Sequence, residues 1–432
     1  MSSTSASSHP EISAEDATRA DAEGLLSGRV VAELTAAGFP RRLVPVRWGG
    51  EESSFEELFY AITCVGESCA SAAWCAALWA LHGRYAARLP EQGQREIWGA
   101  GGRIAVDSPD SAAPAGSRES AAPAGSLGPA GPAGPAGSLE AAGVRVSAAV
   151  VPAAGEARRV EGGWTVAGRW EYASGIEHAH WVLLAAREQS ADGVGESPGE
   201  AASEIRVVAV PASELEIDYG WDAIGLRGTG SHAVLARDVF VPDHRAMTFA
   251  EMTRAEPGPD TPRCQAAPAF LFGGTLLSAV ALGAARSAVA DWTRRATSPA
   301  PPTPASAPSP SARASLLTDP VAAQALARSS GELEAARLLL TQAARRADSG
   351  PMDAAAVATN MRDVAVAVGL LVESVERLLR VGGTAARDGR GGFHRGWRDI
   401  NTVASHGALR LGTAAAAYAR SVEAEAKTGA GR

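Results

Sequence analysis

Hydrophobic positions change period twice along the chain. Over 14–37 they recur at helical spacing, and Gly38-Phe39-Pro40 closes the segment. Arg42-Leu43-Val44-Pro45 reads as a short extended link ending at Gly49-Gly50. Ser54, with Glu57 three residues later, is a capping box, and Phe55, Leu58, Phe59, Ile62 and Val65 form one buried face behind it. A further helix is predicted over about 71–87, and Pro90 opens another that carries Gln94 and Trp98. The period then shortens. Ile104-Ala105-Val106, 144–151, 159–170, 181–185, 205–210 and 231–241 read as strands, with Glu161-Gly162-Gly163 as a hairpin turn. The last third returns to helix: 270–295, then a helix opened by Asp319-Pro320 and reaching about 347. Met361, Val364, Val368, Leu371, Val375, Leu378 and Leu379 form a bundle seam, and a final helix is predicted over about 397–427.

Two stretches break these patterns. Residues 112–142 are rich in Ala, Gly, Pro and Ser, with Gly-Pro-Ala at 128, 131 and 134, and read as a surface insertion. Residues 298–313 read as a Pro/Ser/Ala linker. The expected organisation is a polar tail at 1–15, an N-terminal helical domain at 16–103, a central antiparallel β-barrel or sandwich at 104–245, and a C-terminal helical bundle at 246–432.

Composition narrows the function. The chain has 432 residues, 46% of them hydrophobic and 20% charged, which permits a normal core. Its net charge of −8, without a basic block, argues against nucleic acid or an anionic membrane surface as partner. No unbroken run of 18 apolar residues occurs, and 1–10 lack a signal-like apolar region, so a cytoplasmic protein is expected. Cys64, Cys69 and Cys75 fall at spacings that suit neither a bridge nor a metal and read as reduced, packed thiols. His178 and His180 alternate on one strand face without a third ligand, so no metal is expected there.

Helices, then strands, then a bundle resembles the acyl-CoA dehydrogenase superfamily, an α+β fold. Four strings point to its reduced-flavin-dependent, two-component monooxygenase branch. Gly162 to Trp170 with Ala173-Ser174-Gly175 looks like the flavin-side strand, and Gly225 to Ser231 leading to Val239-Phe240-Val241-Pro242 like the closing β segment. Arg398-Asp399 with His406 looks like the signature of the last bundle helix, and Ser71-Ala72-Ala73-Trp74 fits the helical domain. The resemblance implies reduced FMN or FAD as cofactor and O2 as co-substrate, forming a C4a-hydroperoxide that hydroxylates an aromatic or oxidises an amine. It also implies a separate NAD(P)H:flavin reductase and a homotetramer. No nicotinamide fingerprint is present, since Gly225 to Gly230 has the wrong glycine order.

Within that resemblance Ser174 would sit at the flavin N5, or else merely cap a strand end. His406 would be the acid–base group, and His82 would share its cavity, against the plain alternative of packed histidines. Trp170 would stack on the flavin or belong to the β core, and Arg286 would meet a flavin phosphate. Arg398 and Asp399 fit an intrahelical or interface salt bridge equally well. The runner-up is an acyl-CoA dehydrogenase-like oxidoreductase, although no string matches the segments that bear its carboxylate base. A non-catalytic scaffold is the third reading.

Overall fold

The computed structural model describes residues 10–99, 143–189, 204–297, 316–387 and 391–429. The strand expected at Ile104, the 112–142 insertion and the 298–313 linker lie outside them.

The first predicted helix is two helices, α1 (Ala14–Glu23) and α2 (Gly28–Ala36). Gly24 ends α1 in the left-handed region (φ 75°), and Ser27 caps α2 by accepting from the Val30 N–H. Two apolar residues between these signals, Leu25 and Leu26, let the helical pattern run on in the sequence while the backbone turns. The Ser54–Glu57 capping box opens α3 (Phe55–Ser68), and α4 (Ala70–Ala86) follows after a one-residue break at Cys69. Cys64 and Cys75 therefore belong to different helices, and all four thiols are free. Then comes α5 (Glu91–Trp98).

The strands are β1 (Val146–Ala149), β2 (Gly155–Val160), β3 (Gly163–Ala173), β4 (Trp181–Gln189), β5 (Ile205–Pro211), β6 (Glu216–Asp218), β7 (His232–Pro242) and β8 (Ala246–Thr248). They form one sheet in the order β6-β7-β3-β2-β4-β5-β8, with β1 also paired to β4. The predicted turn joins β2 to β3, where Val160 faces Gly163. The sheet is mixed, not purely antiparallel: β4 pairs in parallel with both β1 and β2. Alternation of side chains reports which face is buried and carries no information on strand direction.

The remaining helices are α6 (Phe249–Thr253), α7 (Arg263–Ala266), α8 (Ala269–Thr297), α9 (Pro320–Ser349), α10 (Ala354–Val381), α11 (Gly383–Ala386), α12 (Gly392–Ala404) and α13 (Leu411–Gly429). Asp319 caps α9 ahead of Pro320, as its sequence indicates. The single helix expected over 397–427 is interrupted at Ser405-His406-Gly407. There the Ser405 hydroxyl bonds back to the Thr402 carbonyl, and a short 3-10 turn spans Gly407–Leu409.

By length and composition α8 and α10 are apolar enough to cross a membrane, but 83% of the apolar window of α8 and 50% of that of α10 are buried inside the fold. One hydrophobic core runs from the N-terminal helices through α8 into the bundle, and two smaller cores flank the sheet. At the crossing of α3 and α8 a Cβ added to Gly283 would lie 2.7 Å from the Gly66 Cα, so only glycine permits that approach.

Candidate active site

Helix α4 is buried on every side except at Tyr85. Its polar side chains are therefore held by specific partners, because an unpaired polar group there would be costly. Trp74 donates its indole N–H to the Ser174 hydroxyl (3.1 Å). Ser174 follows β3 and is buried, with Ser231 Oγ at 2.7 Å. Thr229 Oγ1 lies 2.6 Å from Ser231 and 2.8 Å from the Leu226 carbonyl. Four side chains from α4, the end of β3 and the 225–231 loop thus form one continuous polar row.

The loop is wedged into place. A Cβ at Gly225 would meet the Asp399 backbone N of α12 at 2.6 Å, and one at Gly228 would meet the Ala20 side chain of α1 at 2.7 Å. Asp399 Oδ1 accepts the Leu226 N–H (2.7 Å), and Arg398 pairs with Asp21 (2.6 Å) while donating to the Ile224 carbonyl. The two residues do not pair with one another as an isolated bridge; each ties the bundle to a separate neighbour. Burial pushes the Asp399 carboxyl up to about 6.

His406 lies in the break between α12 and α13, not within a helix. Its ring stands edge-on to Trp74, with centroids 5.5 Å apart. The side chain is open to solvent, yet protein surrounds it closely enough to lower its pKa by burial, with Arg410 adding to the effect. The ring therefore faces solvent with protein packed close around it. The Ala408 N–H approaches Nδ1 at 3.3 Å, which assigns the hydrogen of the neutral ring to Nε2. His82 is assigned the opposite tautomer: Nδ1 meets the Val146 carbonyl at 3.2 Å and so carries the hydrogen, leaving Nε2 bare. Burial holds His82 down to about 4, and the charge of His406 contributes to that depression, so the two rings are neighbours. The structure thus brings Ser174, Trp74, His406 and His82 into one region.

Two further candidates lie apart from it. Trp170 is fully buried between Gly155 and Gly168 in the sheet core, and its indole N–H donates to the Ala185 carbonyl (2.7 Å). It has no free face to offer a planar ligand. The accessible aromatic beside Ser174 is Tyr172, 63% exposed and at φ 64° in an irregular stretch of the β3–β7 pairing. Its position two residues before Ser174 is a signal that the sequence contained. Arg286 is half-exposed on α8, where it pairs with Glu67 of α3 (2.8 Å). His178 and His180 bond to the Leu26 carbonyl and to Arg145, and among the described residues no group of three His, Cys, Asp or Glu could hold a metal. An open cleft of about 780 Å³ near Pro10, Asp16 and Ser68 touches none of the site residues.

Residues 275–411 match the family model described as acyl-CoA dehydrogenase, C-terminal domain. The chain is 27% identical over 220 residues to the flavin-dependent monooxygenase, oxygenase subunit HsaA, of Rhodococcus jostii, a match covering 51% of this chain and 45% of that protein. It is 30% identical over 271 residues to indole-3-acetate monooxygenase of Pseudomonas putida, covering 62% and 55%. These matches span about half the length of the curated relatives. The structure of XiaF from Streptomyces, in complex with FADH2 and glycerol, superposes with a TM-score of 0.76 at 23% identity, covering 95% of this chain and 92% of that one, and shares its fold. Residues 275–411 are thus similar to the acyl-CoA dehydrogenase C-terminal domain, and about half of the chain is similar to oxygenase components of flavin-dependent monooxygenases.

Proposed function

We propose that this chain is the oxygenase component of a two-component flavin-dependent monooxygenase. It would take reduced FMN or FAD from a separate NAD(P)H:flavin reductase and oxidise an aromatic or amine group of a small molecule with O2. The observation that carries this reading is the meeting of Ser174, Trp74 and a solvent-facing His406 from three parts of the fold. The relatives named as oxygenase subunits support the reductase partnership. Bound reduced flavin would supply the oxygen activation, and the protein would bind, orient and shield it.

The residues present fit that cofactor. Ser174 retains an oxygen lone pair beyond its contacts with Trp74 and Ser231, Tyr172 two residues before it carries an exposed ring that stands edge-on to Trp221, and the polar row is buried. His406 is neutral at pH 7 because its pKa is lowered, and its Nε2–H can donate to a substrate or leaving oxygen. His82, bare at Nε2, is the complementary acceptor. Trp170, enclosed in the sheet core, and Arg286, paired with Glu67, would take no part in holding the flavin. For acyl-CoA oxidation a free carboxylate base is needed. The carboxylate nearest this place in the sequence, Asp399, is committed to the Leu226 N–H, so the imidazole chemistry is favoured.

A homotetramer is part of the same proposal and rests on the resemblance to the superfamily; a monomer mass in light scattering would exclude it. The reading as a whole is tested by reductase-coupled oxygen consumption with mass spectrometry against phenols, indoles and amino sugars. His406→Asn should lower product ~10²–10⁴-fold while oxygen uptake continues as hydrogen peroxide. Unchanged coupling in that variant would return His406 to a packing role.

A further inference from the structure

The buried polar row has a direction, and the direction follows from one fixed end. A carbonyl only accepts, so Thr229 donates its single hydroxyl hydrogen to Leu226 O at 2.8 Å. Ser231, 2.6 Å from Thr229, must then be the donor in that contact. Ser174, 2.7 Å from Ser231, must in turn donate to Ser231. The indole of Trp74 only donates, and it takes one Ser174 lone pair at 3.1 Å. Ser174 is left with no hydrogen to give and one lone pair to offer. All three hydroxyls are at most 6% exposed, so bulk water does not readily reorient them.

We propose that Ser231 and Thr229 are positioning residues that fix Ser174 as a hydrogen-bond acceptor, and that this polarity lets the site tell reduced from oxidised flavin. The inference rests on the flavin reading above. Reduced flavin carries a hydrogen at N5 and can donate to Ser174; oxidised flavin has only a lone pair there and meets another lone pair. Neither Ser231 nor Thr229 needs to touch the cofactor for this to hold. The backbone reinforces the arrangement: the Gly175 N–H is bonded to the Thr229 carbonyl at 2.8 Å, and Leu226 is held from both ends by Asp399 and Trp221.

The test is the ratio of dissociation constants for oxidised and dithionite-reduced FMN and FAD, measured anaerobically on the full chain. The wild type should favour the reduced form. Ser231→Ala frees the Ser174 hydrogen, so oxidised flavin should bind tighter and the ratio should shrink by roughly 3–10-fold, the worth of one hydrogen bond. Thr229→Val removes the terminal acceptor and lets the row reverse, so it should shrink the ratio in the same sense. Thr229→Ser keeps the hydroxyl and should restore the wild-type ratio, which a packing role for the methyl group would not predict. Wild-type protein that binds neither form of flavin would overturn the flavin reading itself. Wild-type protein that prefers reduced flavin, with both hydroxyl deletions leaving the ratio unchanged, would overturn the polarity argument alone. Nitrogen-15 chemical shifts of N5-labelled reduced flavin give a second measure: loss of the row should alter the N5–H hydrogen bond in Ser231→Ala and leave it intact in Thr229→Ser.

Discussion

Helices α4 and α10 are both rich in Ala, Leu and Val or Trp, yet they hold the fold together differently. Helix α10 presents a stripe, with Val364, Val368, Leu371, Val375 and Leu378 buried and Arg380 outside. Helix α4 has no outside, apart from Tyr85. A striped helix sorts polar residues to water at no cost, whereas an encircled helix must find an internal partner for each one. The polar residues of α4 are accordingly the informative ones: Trp74 faces Ser174, His82 faces Val146, and Arg84 donates to the carbonyls of Cys264, Gln265 and Ala267.

The contrast can be broken by substitution. Arg84→Met keeps the side-chain stem but takes the guanidinium from the Cys264 and Ala267 carbonyls. At ~1–3 kcal/mol for each stranded group, the loss should be on the order of 2–6 kcal/mol in denaturant unfolding. Leu371→Ala on α10 should cost ~2–5 kcal/mol by cavity formation, measured the same way. If Arg84→Met proved neutral, the encircled helix would be held by apolar packing alone.

Titration reports on the buried polar groups of α4 and of the sheet side together. Burial holds His82, His178 and His180 each down to about 4, from an ordinary value of 6.5. Below pH 6.5 the unfolded chain therefore takes up protons that the folded protein refuses until about pH 4, and stability falls with pH across that window. Asp399, raised from 3.8 to about 6, acts in the opposite sense, because there the folded protein binds the proton first. Burial also lowers His232 and His406 and raises Glu177 and Asp348; five histidines against three carboxyls leave a net acid destabilisation, visible as a falling Tm between pH 6.5 and 4. His82→Gln should flatten that slope. Trp74→Phe, which deletes three buried ring atoms, the indole N–H among them, should cost ~1–3 kcal/mol. The smallest effect belongs to the outer face of α10, where Arg380→Ala breaks an exposed pair with Glu376 and should cost ~0–1 kcal/mol.

The same contrast explains what the sequence disclosed. The seam of α10, the capping box of α3 and the Asp319-Pro320 start were legible because each is a local signal read within one or two turns. The break at Gly24 to Ser27 was missed: a glycine and a capping serine lie three residues apart there, but Leu25 and Leu26 carried the helical pattern through. The parallel pairings of β4 were not legible, because strand direction depends on partners far along the chain. Ser174, His406 and His82 come from three distant stretches and lie near one another in the fold, whereas the enclosure of Trp170 could not be read, because ring size says nothing about which face of a strand is exposed. Ser231 and Thr229 lay in a string that already stood out, yet their hydrogen-bond direction depends on a carbonyl whose position only the folded loop sets.

The glycine crossing of α3 and α8 has a consequence for mutational reach. Helix α4 begins directly after Cys69, three residues beyond Gly66, so the contact of Gly66 with Gly283 acts as a fulcrum for the helix that bears Trp74. A single methyl at Gly283 would have to push α3 outward, since Thr63 and Gly66 present only backbone there. The displacement would travel along a stiff rod to a side chain whose placement matters to within an ångström. A screen for altered turnover would then score position 283 as though it lay inside the candidate site, although its own surroundings are plain helix.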